Sequence, residues 1–202
     1  FHSHRAAGHV GDIFGDPEVI SRLTGPAAIG HNRYSTTGET AQRNIQPLFA
    51  DLSSGGFSLA HNGNLTNAAA LRRVLVDKGC LFQSTTDTEV IIHLIAISNR
   101  GTIIDRLINA MSQIVGAYSL VAMSNDSMIG ARDPLGVRPL VLGELDGSYC
   151  IASETCALDI IGARFIRDVL PGEIVIIDKA GVKSVSPYKP KQSRLCVFEY
   201  IY

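Results

Sequence analysis

Charge of one sign, paired cysteines and long apolar runs are all scarce in this 202-residue sequence, and each scarcity narrows its reading. Lys and Arg number 18 against 19 Asp and Glu, a formal charge of −1, so no global field draws the chain to nucleic acid or to an anionic membrane. The longest apolar run, Val90 to Ile97, is interrupted by His93 and falls far short of a bilayer span, so a membrane-embedded chain is not expected. Cys80, Cys150, Cys156 and Cys196 contain no Cys-x-x-Cys pair and keep no regular spacing. Neither a zinc ribbon nor a secreted disulfide framework fits, and a cytoplasmic setting is expected. An initiator Met and a signal-like apolar segment are missing too, and the chain closes on the aromatic run Val197 to Tyr202. Both ends are expected to be cut from something longer. His2, His4 and His9 complete no ligand set, so no metal is expected there.

What is present is a core-forming chain, with 46% hydrophobic residues and enough length to bury them. Up to about Ser58 the text is rich in turns and reads as short strands and loops. Gly56 to His61 alternates like a half-buried strand, and Asn62-Gly63 after it reads as a turn. Asn67 then stands where it can cap a helix bearing Leu71, Val74 and Leu75 on one face, closed by Gly79. Thr86-Asp87-Thr88-Glu89 has the pattern of a capping box opening a second helix, and a third runs from about Thr102 to Ile114. Strands follow at 117–123, 127–132, 139–145 and 148–152 as an antiparallel meander. A short helix from about Glu154 to Ile161 and strands near 173–178 and 182–185 complete the pattern. Strands in runs and helices in runs argue for an α+β domain in which helices cover two packed antiparallel sheets. The domain is expected over 1–186, with a Pro/Lys-rich linker over 187–202.

Three polar clusters stand at element ends, where sites are usually built. Arg33 opens the hydroxyl-rich stretch Tyr34-Ser35-Thr36-Thr37-Gly38; its planar fork suits a carboxylate, although a surface Arg in a loop has the same pattern. Asn62 and Gly63 offer a side-chain amide beside a main-chain N–H, two neutral donors that suit a developing oxyanion, although a tight turn explains the pair equally. Asp87 at a helix start is either a cap or a counter-charge for an ammonium group. Together they describe a site for an α-amino acid undergoing acyl transfer.

The same clusters, in order along nearly the whole chain, resemble a known family. His31 to Gly38, Gln46-Pro47, Ala60 to Asn67, Ser84 to Glu89, Gly116 to Ser119, Arg132 to Leu140, Ala152 to Glu154 and Cys196 to Tyr200 resemble the glutaminase half of the amidophosphoribosyltransferases. Tyr34 and Thr37, and the Cys-x-Phe-Glu-Tyr ending, set the sequence apart from the glucosamine-phosphate synthase branch of the same N-terminal-nucleophile group. The resemblance implies a four-layer αββα sandwich of two antiparallel sheets. It implies that Arg33 and Asp87 hold the carboxylate and ammonium of glutamine, with Thr36 as a further contact, and that Asn62 and Gly63 form the oxyanion hole. It also implies a partner domain that uses phosphoribosyl pyrophosphate with Mg²⁺, ammonia transfer to give 5-phosphoribosylamine at the start of purine synthesis, and a homo-oligomer.

The family's nucleophile is a cysteine at the mature N-terminus, whose own α-amine acts as base. Position 1 here is Phe, and none of the four cysteines stands at the nucleophile's place, so these residues alone are expected to be inactive. Some members of the family hold a 4Fe–4S cluster with a ligand in the segment matching Cys196 to Tyr200, which makes Cys196 the candidate ligand; others keep a cysteine there without a cluster. Arg132 to Leu140 reads as a turn with a structural or interdomain role rather than a phosphate site. Two other readings stay open: a catalytically dead glutamine-binding or regulatory module, and the glutaminase domain of another amidotransferase.

Overall fold

The computed structural model describes residues 1–32, 42–189, 191–194 and 196–197. Two short helices open it, α1 (Val10–Phe14) and α2 (Pro17–Arg22), the second started by Pro17 and by the Asp16 side chain accepting from the Glu18 N–H. Of the short strands expected before Ser58, β1 (Leu48–Leu52) is present, while the described residues ahead of it form helices and loops instead. β1 pairs with the long β2 (Gly55–Leu65), after which come α3 (Ala68–Asp77), α4 (Thr88–Ala96) and α5 (Ile103–Met111). Then follow β3 (Gly116–Met123), β4 (Ser127–Arg132), β5 (Val141–Leu145) and β6 (Ser148–Ala152). The chain continues through α6 (Thr155–Ile161), β7 (Arg164–Asp168), β8 (Ile174–Asp178) and β9 (Gly181–Val185).

Two antiparallel sheets form, one of six strands in the order β1-β2-β3-β4-β8-β9 and one of three in the order β6-β5-β7. The expected meander is therefore broken. β3 and β4 pair in the large sheet and β5 and β6 in the small one, because Asp133 to Leu140 carries the chain across. The edge strand β7 was not anticipated; its text, Arg-Phe-Ile-Arg-Asp, has too few apolar residues to announce a strand, and pairing with β5 makes it one.

Alternation explains the layers. Phe57, Leu59 and Leu65 of β2 and Leu120 and Ala122 of β3 meet Leu75 of α3, Val90, Ile91, Leu94 and Ile95 of α4 and Leu107 of α5, all nearly inaccessible. Between the sheets, Leu140, Leu142, Val169 and Val175 form a second core, and on the outer face of the small sheet Val141 packs on Leu158 of α6. The result is the expected four-layer αββα sandwich. α5 carries a true capping box: Thr102 accepts from the Asp105 N–H at 3.1 Å while Asp105 accepts from the Thr102 N–H at 3.2 Å. Among the described residues, no helix is long and apolar enough to cross a membrane.

Candidate functional site

Asn62 and Gly63 do not form a turn. They lie inside β2, opposite Ser119 and Tyr118 of β3, and the pairing runs on to Leu65 opposite Gly116. Local Asn-Gly propensity loses here to β3, whose pairing fixes the register. Gly63 adopts φ +148°, and a Cβ there would run into the carbonyl of Ala117 and reach 2.9 Å from Nε2 of His61, so the position admits only glycine. Ser58, Ala60 and Asn62 line an open cleft of about 2730 Å³ together with Val121 of β3, Ile151 of β6 and Asp87. Asn62 is half-buried and Gly63 exposed, so both are presented to this cleft.

Asp87 is brought to the same strand from α4. Its carboxylate accepts from the Leu65 N–H at 2.8 Å and lies 3.5 Å from Nδ1 of His61. Burial alone would raise its pKa, but the His61 ring and the Leu65 N–H outweigh that and hold the carboxyl below its ordinary value. The expected capping box is absent. Asp87 itself takes the N-cap position without a side-chain cap, and Glu89 instead accepts from the main chain of Gln83 and Ser84 and from the Ser84 hydroxyl. This carboxylate fastens the segment ahead of Asp87 rather than the helix start. Asn67 likewise sits at the N-cap of α3 but does not cap it; its amide clasps Gln113 O and the Val115 N–H.

His61 received no role in the sequence reading. Its ring lies between Asp87 and the Thr88 hydroxyl, 3.4 Å away, and it is only 4% exposed. The signal was there: alternation places it on the face of Phe57 and Leu59, where an apolar residue belongs. Arg33 and Thr36 lie outside the described residues.

The cysteines are elsewhere. Cys80 packs against the helix-side core, Cys150 against the cluster under α6, and Cys156 is exposed on α6. No cysteine is among the described residues lining the cleft. Cys196 is half-buried where its N–H approaches Val137 O at 3.5 Å. Among the described residues, no three His, Cys, Asp or Glu gather as a metal site, so a cluster held at Cys196 does not fit on the described residues alone.

Arg132 donates to the carbonyls of Gly136, Arg138 and Val169, and Asp133 accepts from the N–H groups of Leu135 and Val137. Residues 132–140 therefore form a self-bonded turn, and the main chain of Arg194 docks on it through Leu135 O at 2.8 Å.

Comparison with known proteins supplies the family. The family model described as a glutamine amidotransferase domain matches residues 31–159. The amidophosphoribosyltransferase of Rhizobium etli is 53% identical over all of this chain and 42% of its own length. That of Bacillus subtilis is 42% identical over 99% of this chain and 42% of its own length. The solved glutamine phosphoribosylpyrophosphate amidotransferase of Bacillus subtilis, complexed with ADP and GMP, superposes with a TM-score of 0.90 at 42% identity, over 96% of this chain and 42% of that one. The chain thus spans about two-fifths of the length of these relatives.

Proposed function

Because the chain belongs to the glutamine amidotransferase domain family, we propose that it is the glutaminase half of an amidophosphoribosyltransferase, releasing ammonia from glutamine. The observation that carries this reading is the bond from the Leu65 N–H to Asp87, which ties an anionic side chain to the strand that presents Asn62 and Gly63. One end of that strand suits a carbonyl oxygen gaining negative charge; the carboxylate beside it suits an α-ammonium group. Arg33 holds the α-carboxylate, and Thr36 adds a contact. A cysteine thiolate from outside Phe1–Tyr202 attacks the side-chain amide carbon, forming a C–S bond and an oxyanion that Asn62 and the Gly63 N–H stabilise. The oxyanion collapses, the C–N bond breaks and the nitrogen leaves as ammonia after taking a proton. Water then hydrolyses the thioester to glutamate.

In this reading residues 1–186 form the glutaminase domain and 187–202 lead towards a phosphoribosyltransferase domain, where Mg²⁺ and phosphoribosyl pyrophosphate bind and 5-phosphoribosylamine is made. The whole enzyme is a homo-oligomer in the cytoplasm, and any 4Fe–4S cluster takes its further ligands from beyond the described residues.

The test is made in the full-length polypeptide. Asp87→Asn and Arg33→Ala are each expected to lower kcat/KM for glutamine by roughly 100-fold or more, since each leaves a charge of the bound amino acid unpaired. Synthesis of phosphoribosylamine from free ammonia should stay near wild type. Equal loss with glutamine and ammonia would remove the residue from the glutamine site. A wild-type enzyme indifferent to glutamine would favour the dead binding module.

A further inference from the structure

β1 and β2 pair from Leu48 opposite Leu59 to Leu52 opposite Gly55. Extending that register by two residues places Gln46 opposite His61, and there the pairing passes from main chain to side chain. Oε1 of Gln46 accepts from the His61 N–H at 2.7 Å, and its Nε2 reaches the His61 carbonyl at a long 3.5 Å. The side-chain amide thus takes the place of a peptide group on the open edge of β2. Gln46 is 8% exposed and His61 4%, so water does not compete for these bonds.

His61 is where the site's parts meet. It precedes Asn62 in the chain; its Nδ1 is 3.5 Å from Asp87, and its buried Nε2 has no hydrogen-bond partner among the described residues and lies against Gly63. Whatever fixes the height of His61 in the sheet therefore fixes the donors at 62 and 63 relative to the carboxylate at 87. On its other side His61 is paired with Leu120 of β3, and on this side, among the described residues, Gln46 supplies the clasp.

We propose that Gln46 is a positioning residue for amide hydrolysis, setting the oxyanion donors Asn62 and Gly63 through the main chain of His61. The inference rests on the glutaminase reading and adds to it a residue that touches no substrate. A strand free to slide by a fraction of an ångström still binds glutamine at Asp87 but meets the oxyanion poorly, so the loss falls on the chemical step.

The experiment compares Gln46→Met and Gln46→Glu in the full-length polypeptide, reading in each the ratio of glutamine-dependent to ammonia-dependent product formation. The ratio is taken below each variant's unfolding transition, with kcat and KM for glutamine read separately, because the ammonia-dependent reaction needs only the other domain. Met fills the space without bonding, and the ratio is expected to fall roughly 30-fold. Glu keeps the acceptor for the short bond and loses only the long one, so the ratio should stay within about threefold of wild type. A Met variant within about twofold of wild type, or a Glu variant as impaired as Met, would overturn the inference. Wild-type protein that makes no use of glutamine would instead overturn the glutaminase reading, and this inference with it.

Discussion

Two places in this molecule bury charge, and they treat it differently. Behind the sheets, Glu173 is 3% exposed, bonded bidentately to Arg167 and accepting from the Leu170 N–H, while Arg132 donates to three carbonyls and Asp133 accepts from two N–H groups. Each of these groups is matched within the protein. At the junction of β2 and α4, Asp87 receives one close bond and one ring at 3.5 Å, and His61 leaves Nε2 buried without a described partner. Buried polar groups are nearly always satisfied, because an unpaired one costs about 1–3 kcal/mol. An incompletely matched carboxylate at a cleft is placed to take a partner from outside, whereas charges fully matched inside the fold, even beside the Tyr118 hydroxyl, unpartnered among the described residues, serve as scaffold. The family match identifies the domain, and experiments that separate stability from glutamine use test the division residue by residue.

The largest effect is expected on the scaffold side. Arg132→Met removes a buried cation and strands three carbonyls, and should lower the free energy of unfolding by about 3–5 kcal/mol in urea titrations. Whatever protein stays folded should keep the wild-type ratio of glutamine to ammonia use. A changed ratio would break the comparison by placing this turn in the glutamine site.

A smaller loss, about 2 kcal/mol at neutral pH after allowance for the partly exposed Arg167, is expected for Glu173→Gln. Burial pushes the Glu173 carboxyl up, but Arg167, the Leu170 N–H and Ser184 pull it further down, so its folded pKa lies below the ordinary 4.5. A depressed folded pKa means the stabilisation is complete above the unfolded value and drains away as pH falls through the folded one. Wild type should therefore lose stability below about pH 4.5, and the Gln variant should lose less over that interval. Parallel pH profiles would remove Glu173 from the acid response.

Much of this was legible in the sequence, and the failures have a common cause. The helical spacing in α4 and α5 and the alternation in β3 and β4 are local, and the structure returns them nearly residue for residue, while β2 runs on past His61 to Leu65. Arg33, Asn62, Gly63 and Asp87 are candidates by residue type, and the structure brings Asn62, Gly63 and Asp87 to one strand and its neighbour, Arg33 lying outside the described residues. What local reading missed was decided by distant partners. Asn62-Gly63 is a strand because β3 lies beside it, not the turn its own chemistry favours. Glu89 holds Ser84 rather than Thr86, Asn67 serves residues 113–115 rather than α3, and Gln46 reaches His61, 15 residues on. Polar side chains choose among several main-chain groups, and the fold determines which is near.

The smallest stability effect is expected at the site itself. Asp87→Asn keeps an acceptor for the Leu65 N–H and removes a half-buried negative charge that, among the described residues, has the His61 ring beside it at 3.5 Å. The cost of burying that charge is relieved as the attraction is lost, so unfolding should shift by less than about 1 kcal/mol in either direction. Groups kept for a ligand are held at some cost to the empty fold, so their removal is cheap in stability and expensive in function. Urea unfolding of this variant beside Arg132→Met tests that directly. A loss at Asp87 as large as at Arg132 would mean its carboxylate is scaffold too, and that the ammonium of glutamine is held elsewhere.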